Sequence, residues 1–176
     1  MSEKRKANTN SPYFITFTVV GWIDVFTRQK YCEILLESLA FCQKNKKLEV
    51  FSFVIMSNHI HLIVRQQDGK LSGVIRDFKS FTAKKIIEEI ETNPKESRKD
   101  WLLHLFKFHA KFKNQNEVYQ FWQKTSYPIE LYSNEVFDQK LDYIHNNPVK
   151  SGIVTDIHSY FYSSANTDND FKIDKY

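Results

Sequence analysis

Two histidines one residue apart, His59 and His61, stand in the segment MSNHIHLIV (56–64), whose other residues suit a buried strand. Side chains along a strand alternate between its faces. The two imidazoles therefore share one side, and Ile60 and Leu62 take the other. The apolar side can pack on helices while the imidazoles face outward or into a cleft. Imidazole is the commonest metal ligand, and such a pair supplies two ligands of a divalent site, with room for a third. Taken alone the pattern is weak, because two such histidines are more often hydrogen-bonded neighbours without a metal.

A second stretch, LDYIHNNPVKSGIV (141–154), carries complementary chemistry. In a helix Tyr143 and Asn147 lie four residues apart, on one face. Phe137, Leu141 and Ile144 form an apolar stripe beside them that would dock the helix. The Asn147 amide oxygen suits a hard cation such as Mg²⁺ or Mn²⁺, although an asparagine before a proline also often caps a helix end. His145 faces away from Tyr143 and reads as a structural or surface residue. Together, two imidazoles and an amide oxygen would hold a divalent ion against a phosphate. A tyrosine hydroxyl beside it would attack the phosphorus and form a phosphotyrosine. That bond conserves the energy of the broken phosphodiester, so rejoining needs no nucleotide cofactor. Tyr127 and Tyr132 are rival tyrosines, but neither shares a helical register with a potential ligand.

The elements that must position these residues follow from periodicity. Residues 13–21, 48–57 and 59–65 read as strands, with Asn58 in a tight turn between the last two. Residues 28–47, 71–93 and 134–147 read as helices, the last capped by Ser133 and ended or kinked by Pro148. Residues 101–115 are either helical or an irregular basic and aromatic segment, and 127–133 is a short strand. The order is βαββαβ followed by a helix, which predicts a ferredoxin-like α+β sandwich. Its antiparallel four-stranded sheet would carry helices on one face, and the C-terminal helix would carry the nucleophile. Residues 13–162 form one catalytic domain between a flexible N-terminus (1–12) and a polar, loose C-terminal tail (163–176).

MSNHIHLIV, FKSFTAKKI and DYIHNNPVKSGIV, in this order and spacing, resemble the HUH single-tyrosine transposases. The similarity is greatest to those associated with repetitive extragenic palindromes, and it runs from about residue 13 to the HSYFYSSA segment. FWQ (121–123) is followed by KTSYPIEL, where many relatives carry an aromatic-Asp-His sequence. The resemblance implies metal-dependent cleavage and rejoining of single-stranded DNA at hairpin-forming palindromes, with a 5′-phosphotyrosine intermediate. His59 and His61 match the paired histidines, Tyr143 the nucleophile, and Asn147 the third metal ligand. It also implies a homodimer or a monomer, since two transposon ends need two tyrosines or two rounds.

Bulk composition permits this reading without requiring it. The chain has 25 Lys+Arg against 21 Asp+Glu, a formal charge of +4, so a polyanionic partner is allowed but not demanded. Hydrophobic residues make up 41% of it, enough for a core without covalent staples. Cys32 and Cys42 form no metal or redox spacing and read as reduced thiols of a cytoplasmic protein. No run approaches the roughly 18 apolar residues of a membrane span. Candidate DNA contacts are Arg76, Lys79, Lys84 and Lys85 around DFKSF, and Lys107, Lys111 and Lys113 among phenylalanines. Interleaved cations and aromatics suit single strands, where phosphates pair and bases stack. Two rival readings remain: a domesticated, non-catalytic binder of structured single strands, and a hydrolase in which water replaces the tyrosine.

Overall fold

The computed structural model describes residues 10–111 and 118–176. The expected flexible N-terminus thus falls almost wholly outside the described residues, as does Lys113. The elements are β1 (Tyr13–Thr18), α1 (Gln29–Lys46), β2 (Leu48–Ile55), β3 (His59–Gln66), α2 (Leu71–Thr92), α3 (Lys99–Ala110), β4 (Ile129–Glu130) and α4 (Asn134–Lys150). They form one antiparallel sheet in the order β2-β3-β1-β4. This is the expected ferredoxin-like α+β arrangement, with α3 inserted before the last strand.

Alternation along β1 and β3 sorts their side chains into two layers. Ile15, Phe17, Ile60, Leu62 and Val64 are buried with residues of α1 and α2. Phe14 and Ile63 point the other way and pack under Phe137 and Ile144 of α4. The register pairs Thr16 with His61 and Thr18 with His59, so both histidines lie on the α4 side.

Three local readings change. The strand expected at 127–133 shrinks to two residues, paired with Tyr13 and Phe14. The helix expected to end or kink at Pro148 runs on to Lys150. Pro148 sits in the last turn, where its missing N–H costs a single helical bond, and its ring is buried. Gly152 then closes the helix at φ 70°, its N–H donating to the Val149 carbonyl while Ile153 N–H reaches that of Pro148. Nor is the C-terminal segment loose. Ser164 N–H donates to the Phe53 carbonyl, Asp174 N–H donates to that of Val50, and the Asp174 carboxylate accepts from Val50 N–H. Tyr176 stacks on Phe137 with ring centres 3.9 Å apart. These residues cover the edge of β2, whose exposed backbone would otherwise invite pairing with another chain.

Glu96, buried between α2 and α3, ties the helical layer to the loop after β1. It accepts from Tyr31 Oη (2.8 Å), Arg98 Nε (2.9 Å) and Arg98 N (3.0 Å), while Arg98 Nη1 donates to the Asp24 carbonyl (2.8 Å). Hydrogen bonds from Arg98 first, and from Tyr31 next, hold its carboxyl down at about 2 from an ordinary 4.5.

A carboxylate depressed in the folded state stabilises it above the unfolded pKa and loses that effect as pH falls through the folded one. Between pH 4.5 and 2 the protein should lose about 2–3 kcal/mol of stability from Glu96. Urea unfolding of Glu96→Gln should show a correspondingly shallower acid limb, and identical limbs would refute the assignment. Deleting residues 163–176 should lower Tm by roughly 5 °C or more. It should also produce concentration-dependent self-association in light scattering, whereas an unchanged monomer would show that the β2 edge needs no cover.

Candidate active site

The two imidazoles are held as a pair, ring centres 4.7 Å apart. Asn58 determines the tautomer of His59. Its Nδ2 donates to the Trp22 carbonyl (3.3 Å) and to Asp24 Oδ1 (3.0 Å), so its Oδ1 faces His59 Nδ1 at 2.7 Å. An amide oxygen only accepts. Nδ1 of His59 must donate, and its lone pair is left on Nε2. His61 meets a hydroxyl instead, which can donate or accept, so this contact permits the Nδ1–H tautomer without imposing it. Its Nδ1 lies 2.8 Å from Thr16 Oγ1, which can accept, while its Nε2 is buried with no hydrogen-bond partner.

Burial lowers the pKa of both rings, that of His61 to about 3, with His59 and Lys140 adding to the shift. Both are therefore neutral near pH 7, the form in which imidazole binds a cation. An orphaned, buried imidazole nitrogen beside a second neutral ring is a fit for a divalent metal. Among the described residues no three His, Cys, Asp or Glu side chains converge, so a third protein ligand would be an amide or a hydroxyl. Asn147, half-buried on α4, is of the right type.

Helix α4 brings Tyr143 to this pair. The Tyr143 ring is 5.2 Å from that of His61 at 72°, and edge-on to Phe14 at 5.8 Å. It is 39% exposed, so it meets both the histidine and solvent. Tyr127 and Tyr132 are 79% and 82% exposed and make no ring contact with either histidine. Asn147 lies one turn beyond Tyr143 on the same helical face. His145 turns back toward the sheet, 3.1 Å from Ser164 Oγ.

Two cations missed in the sequence border the tyrosine. Lys140 Nζ lies 5.0 Å from the centre of the Phe14 ring and 5.6 Å from that of Tyr143, and Lys150 Nζ lies 5.9 Å from the latter. Lys140 precedes Tyr143 by three residues, so helical spacing alone could have found it. Thr16 had no such signal, because only the β1–β3 register places it. Trp22 is the fourth omission. It is 61% exposed, edge-on to His59 at 6.1 Å, and held at φ 56°. A bulky residue in that region stores on the order of 1–3 kcal/mol of strain.

Among the described residues, the cations chosen from the sequence do not converge on this site. Helix α2 packs on the opposite face of the sheet from the imidazoles. Arg76 is exposed beside Asp77, Lys85 pairs with Glu88, and Lys79 Nζ donates to the Gln123 carbonyl at 2.7 Å. Lys84 lines a groove of about 670 Å³ between α2 and residues 118–124. Lys107 lies over the Tyr119 ring, and Lys111 is exposed at the end of α3. Trp122, from the FWQ segment, is core: its Nε1 donates to Thr82 Oγ1, and it bridges to Val19.

Comparison with known proteins bears on the family and the fold. The family described as "Transposase IS200 like" matches residues 12–107. No curated protein matches the chain in sequence. Among solved structures it is similar to a REP-associated tyrosine transposase bound to a REP hairpin. That match has a TM-score of 0.65 at 18% identity, and covers 93% of this chain and 82% of the other.

The Thr16–His61 contact generates a direct test. Thr16→Val keeps the shape and removes the partner of Nδ1. Mn²⁺ affinity, measured by titration calorimetry, should fall by about 10-fold or more, alongside a stability loss of about 1–3 kcal/mol from the buried Nδ1 left without a partner. Unchanged affinity would mean that the hydroxyl does not orient the ring.

Proposed function

Starting from a chain that belongs to the IS200-like transposase family, we propose that it cleaves and rejoins single-stranded DNA, with Tyr143 as nucleophile. The observation that carries this reading is a buried His61 ring whose Nε2 has no hydrogen-bond partner, with the Tyr143 ring centred 5.2 Å from it. His59 and His61 would hold Mg²⁺ or Mn²⁺ with Asn147 as third ligand, and the bound ion would draw charge from a phosphate oxygen.

The chain's own residues do the rest. Asn58 occupies Nδ1 of His59 and Thr16 lies at Nδ1 of His61, which leaves the two Nε2 atoms for a ligand. Phe14 and His61 wall the Tyr143 ring on two sides and limit the directions open to its hydroxyl. The phenolic oxygen bonds to phosphorus as the bond to the 3′ oxygen breaks, and that oxygen leaves as a hydroxyl after taking up a proton. The 5′ phosphate stays on Tyr143 until a 3′ hydroxyl reverses the step. The ammonium groups of Lys140 and Lys150 add positive potential where the phosphodiester must sit.

The substrate we infer is a strand folded into a hairpin, the form of DNA carried by the structural relative. The same chain's α4 meets its own histidines, which supports a site completed in cis. A homodimer would then serve to bring two ends together and not to build the site.

The test is a denaturing gel of protein incubated with Mn²⁺ and labelled single strands from the flanks of its own gene. A covalent protein–DNA band is expected, reduced more than about 10³-fold by Tyr143→Phe and strongly reduced by His59→Ala or His61→Ala. A band that survives Tyr143→Phe would transfer the role to another tyrosine. Tight hairpin binding with no band would leave a binding protein. Mixing Tyr143→Phe with His61→Ala chains should not restore the band if the site is built in cis.

A further inference from the structure

We propose that Trp22 is a stacking platform for a nucleobase of the strand whose phosphate lies at the histidine pair. This rests on the reading of that pair as a site for single-stranded DNA. The candidate DNA contacts on α2 and α3 lie away from the imidazoles, so nothing in that set accounts for how a base is held beside them. Trp22 has the position and the chemistry. Its indole is 61% exposed and sits edge-on to His59, ring centres 6.1 Å apart. A phosphate at the imidazoles would put a neighbouring base within reach of the free indole surface. Stacking on an aromatic ring is the common way in which proteins hold unpaired bases.

The backbone there is under constraint. Gly21 at φ 63° and Trp22 at φ 56° are consecutive left-handed residues, in a reversal closed by Ile23 N–H to the Val20 carbonyl. Such a reversal favours Gly, Asn or Asp. A tryptophan in the second place is strained, and its exposed ring recovers little burial in return. Asparagine would satisfy the turn at lower cost. Strain held at an exposed aromatic beside a candidate metal site points to use of that side chain.

The turn is also fixed in place from two sides. A Cβ on Gly21 would come within 2.7 Å of His109 Nε2, so α3 supports the turn from below and admits only glycine there. The Trp22 carbonyl accepts from Asn58 Nδ2, and the same amide accepts from His59 Nδ1. One residue thus anchors both the proposed metal ligand and the backbone that carries the indole. That sets their spacing before any strand arrives.

The test compares wild type with Trp22→Phe, Trp22→Ala and Trp22→Asn. The probes are the single strand that forms the covalent band and copies with one abasic nucleotide at successive positions. Binding is read by fluorescence polarisation without metal. Trp22→Ala and Trp22→Asn should bind about 5- to 100-fold more weakly, the range for loss of one stacked base, and Trp22→Phe should recover most of the affinity. One abasic position should weaken the wild type by the same factor and leave Trp22→Ala unaffected. Trp22→Asn should melt no lower than wild type, because it relieves the turn, so a loss of binding there is not a loss of fold. At limiting DNA the covalent band should fall in Trp22→Ala and Trp22→Asn in step with binding and recover in Trp22→Phe. Unchanged binding by Trp22→Ala, or abasic effects equal in both proteins, would overturn the platform while the band still upheld Tyr143. A wild type with neither complex nor band would overturn the reading of the site and the platform with it.

Discussion

The site depends on the pairing of β3 with β1 in one register. β3 is an inner strand, covered by α1 and α2 on one side and by α4 on the other. A slip of one residue would turn both imidazoles into the main apolar core and bring Ile60 and Leu62 under α4. The aromatic and branched side chains of β1 set the register by filling that core. Thr16 is thereby delivered opposite His61, and Thr18 opposite His59. Burying an imidazole is costly unless its polar atoms are satisfied. Here one nitrogen of each ring has a neighbouring partner, and Nε2 of His61 does not.

This arrangement gives the site its electrical character. Burial favours the neutral form of both rings, the form that can bind a cation. Positive charge comes instead from the ammonium groups of Lys140 and Lys150 at the tyrosine. Tyr143 therefore sits between the histidine pair and two cations, a setting matched to an anion such as a phosphodiester. The supports lie further out. Arg98 ties Glu96 to the Asp24 backbone, Asp24 accepts from Asn58, and Asn58 accepts from His59. A chain of hydrogen bonds thus links the helical layer to a metal-binding candidate.

The strands, the three long helices and their order were legible because their hydrophobic period is strong and their ends carry turn residues. The short pairing at β4 was overestimated. YPIELYS has strand-forming residues, but neighbours decide how many of them pair, and only two do. The C-terminal segment misled because its composition is polar. Its order comes from backbone bonds to β2 and from Tyr176 on Phe137, contacts made across more than a hundred positions for the first and about forty for the second. The basic clusters of α2 and α3 were visible as clusters. Which side of the sheet they occupy was not visible, since each helix is placed by its buried stripe and not by its charges.

By itself the sequence determined what was local. Two imidazoles on one face of a strand, and a tyrosine and an asparagine on one face of a helix, follow from the periods of those elements. So does the expectation of an α+β sandwich. Only the tertiary structure decided that the two faces meet, with Tyr143 against His61 and Lys140 beside them. It also decided which ring nitrogens are free, because Thr16 and Asn58 come into play through strand register and a turn. A tautomer is set by hydrogen bonds between residues distant in sequence, and no local pattern encodes them. The left-handed Trp22 belongs to the same class. Its conformation is imposed by α3 beneath the turn and by Asn58 beside it, against the residue's own preference.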